Sequence, residues 1–172
     1  MAVLLSVVVA GCGYQAVYAS GLPQQWCVRA APAQTPDFSA LQAALEGVRS
    51  ELARAGALAT NSDPPCVIVE LLRVREAPSG VRSLEPGGSR PKPLSRGNRV
   101  EVTARAWVLS SADGPVSRDT GDMTRVSVVT TDANLLVDSV RHRNAAVTAA
   151  RGLGEDLGRR ILGLPVPTAE PL

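Results

Sequence analysis

Residues 35–56 read TPDFSALQAALEGVRSELARAG. Phe38, Leu41, Leu45, Val48 and Leu52 recur at spacings of three and four, so one face of a helix carries all five. Thr35 or Asp37 can accept from the first free amides, Pro36 suits the opening turn, and Gly56 can form the left-handed turn that ends a helix. Such a helix needs a surface to lie on, and its flanks supply one. Upstream, WCVRAA (26–31) has strand composition and is closed by Pro32. Downstream, CVIVELLRV (66–74) follows NSDPP and is almost continuously apolar, the pattern of a strand covered on both faces. Strand, helix and strand in this order predict a right-handed crossover between parallel neighbours.

Beyond this unit, EAPSGVRSLEPGGSRPKPLSRGN (76–98) reads as a long loop rich in Gly, Pro and basic residues. RVEVTARAWVL (99–109) then alternates strictly: Val100, Val102, Ala104, Ala106 and Val108 share one face, and Glu101, Thr103, Arg105 and Trp107 the other. SADGP (111–115) marks a turn, and DMTRVSVVTT (122–131) a fourth strand. The last element is a helix from about Leu135 to Leu162, with Val140, Val147, Ala150, Leu157 and Ile161 near one stripe, stopped by Gly163 and Pro165. Gly152, Gly154 and Gly158 weaken that helix by about 1 kcal/mol each against Ala, which predicts close packing on the sheet in place of a phosphate loop. The expected fold class is α+β, order β-α-β-β-β-α: a two-layer sandwich of a four-stranded mixed sheet with two helices on one face. Arg105 and Trp107 lie on the other face, left open for a partner.

The N-terminal stretch VVVAGCGYQ (7–15) ends a short apolar run on small residues and a cysteine. Val3 to Ala10 are too few to span a bilayer, which takes about 20 residues as a helix, and read as the core of a secretory signal. Val9, Ala10, Gly11 and Cys12 match a lipobox, although no Lys or Arg precedes the run. The expected boundaries are a lipoprotein signal peptide (1–11), a tether (12–25) that begins at lipidated Cys12, one α/β domain (26–163) and a disordered tail (164–172). With Cys12 carrying lipid, Cys27 and Cys66 remain as one pair in an oxidising compartment, each near the start of its strand, and a disulfide between them is expected.

The formal net charge of +2 gives no case for nucleic acid as a partner. His142, the single histidine, sits in VRHRN and reads as a solvated residue on the polar side of the last helix. No HExxH, GxSxG, P-loop or CxxC motif occurs, and Cys27, Cys66 and His142 lack the number and spacing of a metal site. The expectation is a protein without catalytic residues, metal or cofactor, hence no enzyme.

AGCGYQ (10–15), the element order and SRGNRVEVTARAWVL (95–109) together resemble the lipopolysaccharide-assembly lipoprotein (LptE) family. The sharp identity is confined to GCGY and the region around Arg96. The resemblance implies a lipid-anchored protein on the periplasmic side of the outer membrane. There it would plug the β-barrel that inserts lipopolysaccharide into the outer leaflet, without catalysis. It further implies lipopolysaccharide contacts at a basic residue entering the third strand, matched by Arg96 with Arg99 beside it. A second contact near the start of the last helix has Arg141 as its approximate counterpart, with Ser139 at the position itself. A guanidinium suits a lipid phosphate because it can donate two parallel charge-assisted hydrogen bonds. Two other readings share the anchor and a small α/β domain. One is an adaptor that activates a periplasmic cell-wall synthase; the other is a lipid-binding accessory of an ABC-type lipid transporter, which needs a closed apolar pocket.

Overall fold

The computed structural model describes residues 24–32, 37–78, 97–111, 114–130 and 134–167; Cys12, the rest of the signal and tether through residue 23, and Arg96 lie outside them. The elements are β1 (Cys27–Ala30), α1 (Phe38–Arg54), β2 (Cys66–Pro78), β3 (Gly97–Leu109), β4 (Val116–Asp119), β5 (Met123–Thr130) and α2 (Leu135–Leu162). They form an α+β two-layer sandwich, a mixed sheet with both helices on one face. β1 runs parallel to β2 with Cys27 opposite Cys66, and β3 is antiparallel to β2.

Where one fourth strand was expected there are two, β4 and β5, lying end to end along β3, so five strands fill four positions. The break has a local cause. The buried Thr120 hydroxyl accepts from the Ala106 amide at 3.0 Å, taking the place of a ladder carbonyl, while the Thr120 amide donates to the Ala106 carbonyl at 2.9 Å. Gly121 then turns the chain at φ +67°, a conformation that costs a side-chain-bearing residue strain. The expected loop at 76–98 also begins later and ends sooner, because Ala77 pairs with Arg99 and Pro78 with Asn98.

The alternation along β3 holds: Val100, Val102, Ala104, Ala106 and Val108 are buried beneath the helices. α1 lies on β1 and β2, and α2 on β3 and β5. Asp37 caps α1, its Oδ1 accepting from the Ala40 amide at 3.0 Å, and Asn134 caps α2 by accepting from the Leu136 amide at 3.1 Å. The helices run in the same direction, with Gly154 against Ala44 and Gly158 against Val48 and Glu51. This corrects the reading of those glycines: Gly154 and Gly158 let α2 approach α1, and only Gly152 faces the sheet, where it meets the Arg125 guanidinium. Glu51, fully buried between the helices, is neutralised by Arg54 and by Arg159, whose Nε lies 3.3 Å from Oε1.

Two residues of the expected core stripes are not in the core. Phe38 is 71% exposed and Val140 58% exposed. β1 stops at Ala30, and Phe38 stands ahead of the first buried residue of α1, Ala40. α2 is longer than the layer it covers, and its buried residues begin only at Ala145.

Candidate functional site

The sheet face away from the helices carries two chemistries. At one end Cys27 and Cys66 form a disulfide with a Cα separation of 4.4 Å, within the range such a bond requires. Both cysteines are buried with Ile68 beside Trp107 and Leu109, so the bridge seals an apolar cluster at this end of the face. The remainder of the face is charged and polar on β3 and β4, with Val126 and Val128 of β5 exposed opposite Glu101 and Arg99. Arg105 holds Asp119 through Nε at 3.0 Å and through a second guanidinium nitrogen, making a two-pronged pair across β3 and β4. That pair, with the Gly121 amide donating to Asp119 at 2.8 Å, holds the Asp119 carboxyl below its ordinary range and Arg105 above its own. Thr103 and Thr124 hydroxyls meet at 2.9 Å, and Arg99 pairs with Glu101 at 2.9 Å.

The second candidate region lies where α2 overhangs the sheet end. Leu135 and Leu136 are 82% and 77% exposed, Val137 and Val140 continue the apolar surface, and Arg141 and Arg143 follow directly. An open groove of about 540 Å³ runs beside it, lined by Asp37, Glu76, Asn98, Asp138, His142 and Arg143 among others. His142 is not the solvated residue its neighbours suggested. Its side chain is only 11% exposed, and Nδ1 lies 2.9 Å from Glu76 Oε2, with Asp138 Oδ1 3.8 Å from Nε2. Burial there follows from helical phase: His142 shares the sheet-facing side with Ala145, Ala146 and Ala149.

The structure thus places the anticipated basic residues as follows. Arg99 is on the open sheet face at the start of β3, and Arg141 is on α2 in the other layer. Their neighbours Asn98 and His142 meet at 3.5 Å, so both segments sit at the same end of the domain. The apolar character of the overhang was written in LLVDSV (135–140), but a stripe assigned wholly to the core concealed it.

No protein-family model matches the chain, and no curated protein matches it in sequence. In fold it is similar to a solved minor lipoprotein from Acinetobacter baumannii, at a TM-score of 0.52 and 12% identity, over 86% of this chain and 97% of that one. It is also similar to rare lipoprotein B from Shewanella oneidensis, at a TM-score of 0.49 and 10% identity, over 81% and 95% of the two chains. The architecture is therefore shared with the minor lipoprotein from Acinetobacter baumannii.

Proposed function

We propose that this chain is an outer-membrane lipoprotein, anchored at Cys12 on the periplasmic side. In this reading it plugs the β-barrel that inserts lipopolysaccharide, supports that barrel's assembly and takes no catalytic part. The observation that carries the reading is the overhang of α2, where exposed Leu135, Leu136 and Val140 stand directly before Arg141 and Arg143. Aliphatic side chains beside guanidinium groups match a ligand that joins acyl chains to phosphates. The resemblance of GCGY and of the segment around Arg96 supports the same reading, as does a fold shared with a solved lipoprotein over most of the chain. The transporter-accessory alternative needs a closed apolar pocket, whereas the groove beside α2 is open and lined by charge.

Purification of the full chain in mild detergent tests the reading. A large outer-membrane barrel should co-purify in stoichiometric amount. Recovery of a cell-wall synthase or a transporter component in its place would remove it.

A further inference from the structure

Among the described residues, no strand continues β1 along the rest of β2. β1 pairs only with Cys66–Val69, the last contact being the Ala31 amide donating to the Val69 carbonyl at 2.8 Å. From Glu70 to Pro78 no described strand lies on that side of β2. Three observations describe the surroundings of this edge. Phe38 belongs by its spacing to the Leu41, Leu45, Val48 and Leu52 face that rests on the sheet, yet it is 71% exposed, and β1 ends at Ala30. Arg73 and Arg75 stand on the opposite side of the sheet, both exposed, in register with Thr103 and Glu101. No described carboxylate pairs with either, and Glu101 is taken by Arg99. Leu72, extruded by a bulge in β2, is also exposed.

We infer that this position receives an extended segment of a partner protein, aligned along β2 in continuation of β1, with apolar residues toward Phe38 and carboxylates toward Arg73 and Arg75. The geometry is that of strand addition. Unpaired main-chain groups of an edge supply hydrogen bonds, and alternate side chains of the added segment read the two faces. Charge selects the occupant: two adjacent guanidinium groups with no partner among the described residues favour an acidic segment over a basic one. The aromatic ring above selects for aliphatic or aromatic residues at the alternate positions. This inference does not depend on the barrel reading.

The test uses the full chain and two synthetic eight-residue peptides, one alternating valine with glutamate and one alternating valine with lysine. The glutamate peptide should bind about tenfold or more tightly than the lysine peptide at low salt, a difference set by the two arginines. It should also slow amide exchange along Leu71–Glu76. Arg73→Glu with Arg75→Glu should reverse the preference, and Phe38→Ser should weaken both peptides; all three side chains are exposed, so the fold tolerates the changes. A glutamate peptide with a central proline should neither bind nor protect, because it cannot complete the ladder. Equal binding of both peptides, or binding without slowed exchange, overturns the inference. So does edge protection already present in the free chain, which would mean that its own residues occupy the position. Protection by anionic phospholipid vesicles but not by peptide overturns it as well, assigning the arginines to headgroups.

Discussion

His142 and Glu76 join α2 to the far end of β2, Nδ1 lying 2.9 Å from Oε2. With the Asn98–His142 contact, it holds a helix start with little core beneath it against the sheet. His142→Ala should remove a hydrogen bond worth about 1 kcal/mol and leave Glu76 solvated. The expected outcome is local: amide exchange accelerates across Asp138–Asn144, while Ala149–Ile161 stay protected. Uniform acceleration along the whole helix would show that the contact supports the global fold instead.

The helix pair gives a sharper contrast among its glycines. A Cβ at Gly154 would press into the Ala44 carbonyl, and one at Gly47 into the backbone of Arg151 and Glu155. Either Gly→Ala change should cost about 1–3 kcal/mol by forcing the helices apart, despite Ala's better helix propensity. At Gly152 the obstacle is the Arg125 guanidinium, the far end of a flexible side chain, so Gly152→Ala should be nearly neutral. Chemical denaturation of the three variants checks the ordering.

How much of this could be read beforehand depends on which residues had their partners nearby in sequence. α1 and α2 follow from period and caps, and the β3 faces from strict alternation, because these patterns are local. The parallel β1–β2 pair followed from the intervening helix, and with it the Cys27–Cys66 bridge. What failed was everything set by relative length. Phe38 and Val140 obey the core periodicity, yet β1 stops at Ala30 and α2 outruns the layer it covers, and no periodicity reports where a neighbouring element stops. His142 was misread because charged sequence neighbours disguised its phase, and its partner Glu76 is distant in the chain. The β4–β5 break rests on one threonine hydroxyl replacing a carbonyl, which composition does not announce.

The disulfide closes a loop between residues 39 apart in sequence, for which chain-entropy arithmetic gives about 4 kcal/mol. Cys27→Ser with Cys66→Ser, or reduction, should lower stability by roughly that amount and expose the Ile68–Trp107 cluster. Tryptophan emission should shift to the red before global unfolding. A loss under about 1 kcal/mol would mean that the apolar cluster alone holds β1 in place.

Asp119 sets a pH dependence whose sign is fixed. Its carboxyl titrates below the ordinary 3.8 in the fold, chiefly because Arg105 binds the ionised form and secondly because the Gly121 amide does. Its contribution is therefore fully present above 3.8, and it is lost as pH falls through the lower folded value. Asp119→Asn should melt at a lower temperature than the native chain at neutral pH, and the two curves should converge in acid. A constant gap across the range would remove Asp119 from the acid response.

The plug reading makes a demand that no surface adaptor makes: the barrel wall must surround the domain. The direct measurement places a photo-reactive residue in living cells at Thr103 on the open sheet face, or at Asn144 on the outer side of α2, in the full chain. The account predicts that both positions, on opposite layers, cross-link to the same outer-membrane barrel protein. Cross-links from one layer only, or to two different soluble partners, would contradict it.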